Sequence, residues 1–289
     1  MTYRSITVVV PCFDGERFLG EALESILMQK VAGSLDIVVG DDGSTDGSTA
    51  IAKSFAPAVR VVRHPGGTNR GISATRNLVV NVTQGEFIAF LDCDDIWLPG
   101  HLERLIKALE ADPRLAFAVD NGRQFIDGGH DVGDRARNHL PGLLSAEELL
   151  LDQWFPPTGV LVRRAVLDKV GLFDTSMGHG EDQDLWLRIL ERYPAAYVGG
   201  YGYRYRLHDT QLSSSPKTWD GAERALEKAL ARYPYPNSVV RKRRAVIAYR
   251  RAEGAFQAGR PAYALALLAS SALYDPRRAI QEAGRRLVS

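Results

Sequence analysis

The chain has 289 residues, 45% apolar and 25% charged, enough for a sizeable core and without the composition of a disordered protein. A formal net charge of +1 removes any global electrostatic case for a nucleic-acid partner. Cys12 and Cys93 are too few and too far apart in sequence for a disulfide framework or a zinc cage. With no charged leader or long apolar run ahead of Ile6, the expectation is a cytoplasmic protein without signal peptide or membrane span.

In chain order, β-branched runs at residues 6–10, 35–39, 59–62 and 87–91 predict strands. Phe18, Ala22, Leu23, Ile26 and Leu27 form a helical stripe between them, and Leu102, Leu105, Ile106 and Leu109 form another after Pro99. Strands apolar throughout and separated by helices predict a parallel sheet covered on both faces. Such sheets bind ligands beyond the carboxyl ends of their strands. Residues 122–142, rich in Gly, Asp, Arg and His without a clear period, read as a long surface excursion. A strand is predicted over 159–163 and a helix over 182–191. From about Ser215 an Ala-, Leu-, Arg- and Tyr-rich stretch broken by Pro234, Pro236 and Pro261 reads as a helical appendage. Its Ala252, Ala255, Phe256, Gly259, Ala262, Tyr263, Leu267 and Leu268 look like one tetratricopeptide-type helix pair, where repeat arrays need several.

The chemistry-bearing residues follow the strands. Asp92, Asp94 and Asp95 crowd negative charge at the sheet's mouth, which a hard divalent cation, Mg²⁺ or Mn²⁺, would relieve. The alternative is that they cap the helix after Pro99, although three exceed what capping requires. Asp42, after the second strand, could accept from a nucleobase; a plain turn with Ser44, Thr45 or Asp46 as helix cap serves equally well. Phe13 could stack on a base or pack in the core. The segment 69–77 opens a helix whose N-terminus suits an anion, with Arg70 or Arg76 reaching a phosphate or ribose. Glu181 and Asp182 open another helix. Acids are favoured there by the helix dipole, and one recessed beside others would also have the raised pKa of a working base. His208, in Tyr203-Arg204-Tyr205-Arg206-Leu207-His208, is a candidate imidazole ligand.

Taken in order, Val8-Val9-Val10-Pro11-Cys12-Phe13-Asp14, the segments 38–46 and 69–77, Leu91-Asp92-Cys93-Asp94-Asp95 and the segment 180–188 resemble family 2 of the glycosyltransferases, with its GT-A-type fold. The resemblance runs to about Ser213, roughly three quarters of the chain. It implies a Rossmann-like mixed α/β sheet flanked by helices over 1–214, with a nucleotide-binding half at 1–95 and an acceptor-binding half at 96–214, and leaves 215–289 as the helical appendage. It also implies that Pro11, Phe13 and Asp42 hold the nucleobase and that Asp92 touches the ribose. Asp94 would bind the metal that bridges the diphosphate, with Asp92 and His208 as further ligands. Asp182 matches the general base, with Glu181 beside it to orient the acceptor. Asp14 stands where the family usually has asparagine, adding negative charge near the base pocket, and Cys93 is an unusual middle residue between the two aspartates. The reaction implied is inverting transfer from a nucleotide sugar, UDP by default, to an acceptor hydroxyl of a glycan or lipid-linked molecule, in bacterial polysaccharide or glycoconjugate synthesis.

Two other readings compete. A sugar-phosphate nucleotidyltransferase would carry a Gly-rich basic loop after the first strand, where this chain has Pro11-Cys12-Phe13-Asp14-Gly15-Glu16. A silent nucleotide-sugar or glycan-binding module has no need of Asp94 and Asp182 together. From Pro236 onward eleven Lys or Arg face three acids. That surface is expected to meet anionic lipid at the inner face of a membrane, to pair with a second subunit, or simply to be solvated.

Overall fold

The computed structural model describes residues 4–137, 139–209, 211, 215 and 217–277. Ser213 and the basic residues beyond 277 lie outside them.

The first half alternates strand and helix: β1 (Arg4–Cys12), α1 (Leu19–Leu27), β2 (Gly33–Asp41), α2 (Ser48–Ser54), β3 (Val59–Arg63), α3 (Ile72–Asn81) and β4 (Phe87–Phe90). These strands pair in parallel, β3-β2-β1-β4, in a register that sets Pro11 and Cys12 beside Gly40 and Asp41. The carboxyl ends of β1, β2 and β4 therefore open on the same side. Residues of β1 alternate between two cores. Val8 and Val10 face Leu19, Leu23 and Ile26 of α1, whereas Val9 faces Val79 and Val80 of α3. The stripe expected on α1 is rotated slightly, since Leu27 is largely exposed.

The chain continues through β5 (Ile96–Trp97), α4 (His101–Ala111), β6 (Phe117–Ile126), β7 (Asp131–Asp134), β8 (Gly142–Leu143), α5 (Ala146–Leu151), β9 (Val160–Arg163), α6 (Arg164–Val170), α7 (Glu181–Leu190) and β10 (Ala196–Leu207). Here β9 enters antiparallel between β4 and β6, and β10 runs parallel to β6, which makes the sheet mixed.

The segment 122–142 departs from its reading as an excursion. Residues 117–126 are a sheet strand, and 131–134 fold back on it as a hairpin through Gly128 and Gly129, both at positive φ. Composition hid this strand because Gly122 lies under the Tyr203 ring, where a Cβ would fall 2.1 Å from Cε2. Only glycine fits.

Three helices follow: α8 (Thr218–Arg232), α9 (Asn237–Gln257) and α10 (Pro261–Tyr274). Pro236 and Pro261 mark the starts of α9 and α10 as their chemistry predicts. Ala222, Leu226 and Ala229 of α8 and Val239, Val240 and Ile247 of α9 share a core with Trp186. Around that indole lie Phe90, Phe117, Phe155 and Phe173. Burying a residue of this size stabilises the fold by roughly 3 kcal/mol. Among the described residues no helix is long and apolar enough to cross a membrane.

Candidate active site

A cleft of about 1010 Å³ opens at the carboxyl ends of β1, β2 and β4. Its floor carries Pro11, Phe13, Asp14, Asp42, Asp92, Cys93, Asp94 and His208; its far wall carries Gln153, Glu181 and Asp182. Asp182 thus shares one cavity with Asp92 and Asp94.

On the floor, Phe13 is 49% exposed into the cleft, so core packing does not account for it. Asp14 accepts the Thr45 amide at 2.7 Å, and its own amide donates to the Ser44 hydroxyl at 3.1 Å, tying together the loops after β1 and β2. The Asp42 carboxylate accepts the amides of Arg70 at 2.7 Å and Gly71 at 2.9 Å. The anion at the start of α3 is therefore the protein's own, and Asp42 acts first as an anchor for the 69–71 loop. Asp46 accepts the Ser48 amide at 2.9 Å just ahead of α2, but the cap of that helix is Gly47 without a side-chain bond, so none of Ser44, Thr45 and Asp46 is its N-cap. Arg70 is exposed at the rim, its guanidinium making no hydrogen bond among the described residues.

Arg76 differs from its reading as a phosphate or ribose contact. It is 2% exposed and donates to Asp92 at 2.6 Å and to Glu181 at 3.0 Å, with its guanidinium over the Phe173 ring. This buried cation already compensates two of the acids, so crowded charge alone does not demand a metal. It also leaves Asp92 a weaker metal ligand than Asp94, and Glu181 is engaged by Arg76 rather than left open to the acceptor. Burial still pushes the Asp92 carboxyl up, against the pull of Arg76.

Asp95 turns away from the cleft. Its oxygens accept the Thr158 hydroxyl at 2.7 Å and the Arg206 amide at 3.0 Å, and burial together with the charges of Asp94 and Asp92 holds its pKa well above the carboxylate range. None of the three aspartates caps α4, whose cap is Gly100 without a side-chain bond. Asp94 and His208 do meet, with Nε2 2.9 Å from Oδ2. Among the described residues no three Asp, Glu, His or Cys groups converge as a metal cluster.

The two cysteines, 81 residues apart, lie side by side as free thiols beneath Gly15, where a Cβ would sit 2.9 Å from Cys93 Sγ and 3.2 Å from Cys12 Sγ. The bond to Cys12 and burial push the Cys93 thiol well up.

On the far wall, α7 begins after Gly180 in the left-handed region at φ 74. Asp182 Oδ2 accepts the Gln153 amide at 2.6 Å, and Oδ1 accepts the Gln183 N–H at 2.8 Å. Burial, reinforced by the Glu181 charge, raises its pKa to about 6. A carboxylate so tuned can take a proton near neutral pH.

Three site residues escaped the sequence reading. Gln153, in the segment after α5, orients Asp182. Arg206 donates through Nε to the Asp94 carbonyl at 2.8 Å and pairs with Glu21 and Asp127, fixing the 92–95 loop. Arg243 reaches the cleft from α9, donating to the Leu151 carbonyl at 3.1 Å and Gln183 at 2.8 Å, while burial lowers its pKa to about 10. No local pattern separates Arg206 from Arg204, or Arg243 from its basic neighbours.

A mixed sheet whose parallel half ends in an acidic cleft, faced by a tuned carboxylate on a helix N-terminus, defines a GT-A-type fold. It is shared with the structure of Staphylococcus aureus TarS 1-349 in complex with UDP-GlcNAc, at a TM-score of 0.70 and 18% identity over 95% of this chain and 82% of that one. The mannosyltransferase PcManGT from Pyrobaculum calidifontis, in complex with GDP-Man and Mn²⁺, matches at a TM-score of 0.66 and 19% identity, covering 99% of this chain and 81% of that one. A family model described as glycosyl transferase family 2 matches residues 7–171, and the chain belongs to that family. Among curated relatives, the Escherichia coli UDP-Glc:alpha-D-GlcNAc-diphosphoundecaprenol beta-1,3-glucosyltransferase WfgD is 26% identical over 80% of this chain and 90% of its own length. An uncharacterized glycosyltransferase of Nostoc is 32% identical over 57% of this chain and 52% of its own length.

Proposed function

We propose that the chain is an inverting glycosyltransferase that moves a sugar from a nucleoside diphosphate, UDP first among the candidates, to a hydroxyl of a lipid-linked glycan. The observation carrying this reading is Asp182: a carboxylate with pKa about 6 in the same cleft as Asp92 and Asp94. The relative that uses UDP-Glc on a diphosphoundecaprenol acceptor supports the substrate classes. Residues 1–95 form the donor half, 96–214 the acceptor half, and the appendage closes the far wall through Arg243.

Phe13 stacks on the base beside Pro11, and Asp42 holds the loop bearing Arg70, which faces the diphosphate. Asp92 meets the ribose. Asp94 and His208 would hold a Mn²⁺ or Mg²⁺ ion, offering a hard carboxylate oxygen and an imidazole nitrogen that are already adjacent. Such an ion, when bound, neutralises charge on the departing diphosphate. Asp182, held by Gln153, takes the acceptor proton as its oxygen attacks the anomeric carbon opposite the departing group, so the centre inverts in one displacement.

The test is release of nucleoside diphosphate from a panel of nucleotide sugars with Mn²⁺, comparing the wild type with Asp182→Asn. Transfer should fall by up to about 10⁴-fold while nucleotide binding persists. Lost binding would make Asp182 structural, and pyrophosphate as product would favour a nucleotidyltransferase. A normal rate for the variant would remove the base.

A further inference from the structure

Among the described residues α10 is the one α-helix without a charged side chain, over 14 positions. One face is covered by α9: Ala264 and Ser271 are buried, Leu267 and Leu268 lie against Ala252 and Ala255, and the Ser271 hydroxyl donates to the Ala245 carbonyl at 2.8 Å. On the opposite face Ala262, Leu265, Ala266, Ala269 and Leu273 recur at helical spacing and are all exposed, Leu265 at 60% and Leu273 at 78%. A helix apolar on every side belongs inside a core or at a membrane. At about 1.5 Å per residue this one cannot cross a hydrocarbon layer of about 30 Å, but it can lie in the plane of the interface.

Cations gather at both of its ends, outnumbering the one acid among the described residues there, the C-cap Asp275. Arg260 lies over the Tyr263 ring at 5.4 Å at the start. At the finish Arg241 donates to the carbonyls of Leu273 and Tyr274, Arg244 lies over the Tyr274 ring, and exposed Arg277 follows. An uncharged apolar stripe with arginines at its ends complements anionic headgroups above acyl chains. A second copy docked face to face would instead set these arginines against one another.

We propose that the exposed face of α10 seats this enzyme on an anionic lipid surface, with Leu265 and Leu273 entering the apolar layer and the terminal arginines meeting the headgroups. The idea adds a location to the lipid-linked acceptor reading, and its test needs neither donor nor acceptor, so the two fail separately.

The experiment is flotation of the full chain with vesicles of phosphatidylcholine alone or mixed with phosphatidylglycerol, at low and high salt. Binding should rise at least about tenfold with phosphatidylglycerol and fall with salt. Leu265→Glu with Leu273→Glu should abolish it, while melting temperature and nucleotide binding stay unchanged. Should the glutamates disturb the helix, Leu265→Ser with Leu273→Ser removes the anchors without added charge and should give the same loss. Wild-type protein that ignores anionic vesicles, or a serine variant that floats like wild type, would overturn the proposal. So would a wild-type dimer that dissociates in these variants without any vesicle binding, because the face would then belong to a second copy.

Discussion

Glu181 and Asp182 are neighbours on α7, yet the cleft treats them oppositely. Glu181 shares the Arg76 guanidinium with Asp92, so the loop after β4 and the start of α7 are bolted together by a buried ion pair. Asp182 hydrogen-bonds only amide donors, Gln153 and Gln183, and burial with the Glu181 charge outweighs the pull of Arg76 on it. A carboxylate paired with arginine holds the architecture; one given only neutral donors stays available for proton transfer. Elsewhere in the site Asp42 and Asp95 spend their oxygens on backbone and hydroxyl donors of the protein, whereas Asp94 faces the cleft with His208.

Breaking the bolt should have the largest effect on stability. Arg76→Met leaves Asp92 and Glu181 buried without a partner and should cost about 3–5 kcal/mol in urea unfolding. Adding Glu181→Gln should recover part of that loss, and full additivity of the two changes would show that the pair does not interact.

Asp182→Asn should act in the opposite direction. A carboxyl whose folded pKa is raised supports the fold below its unfolded value near pH 4 and loses that support as pH rises through about 6. The asparagine variant should therefore melt higher than wild type at pH 8, with the difference gone by pH 4. A lower melting temperature at pH 8 would make Asp182 a structural acid held by its Gln153 and Gln183 donors.

These contrasts also mark how far the sequence could be read. The strands of the parallel half were legible because apolar runs are local, and Phe13, Asp94 and Asp182 because each follows a strand or opens a helix. Partnerships across the fold left no trace. Nothing in the residues around Arg76 announces a buried bridge between segments 105 positions apart, nor does the basic run 241–244 reveal that Arg243 alone turns inward. The β6–β7 hairpin was missed because close packing under Tyr203 requires a glycine where strand propensity would ask for a branched residue.

Smaller effects sharpen the floor. His208→Ala removes the neighbour of the Asp94 carboxylate and should raise the Mn²⁺ concentration giving half-maximal activity by on the order of 10–100-fold. An unchanged requirement would remove His208 from the metal shell. Phe13→Ala should weaken nucleotide binding by about 1–3 kcal/mol in calorimetry, since the role proposed for the exposed ring is stacking. Loss of folding instead would return Phe13 to a packing role.

The division of roles along α7 is tested most directly by the pH dependence of transfer under saturating donor, acceptor and Mn²⁺. Glu181, Asp92 and Arg76 bear on Asp182 from the surrounding elements. The wild-type rate should climb roughly tenfold per pH unit up to about 6 and then level, and the residual rate of Asp182→Asn should show no such limb. An acid limb that survives in the variant would assign the proton acceptor to another residue and contradict the account.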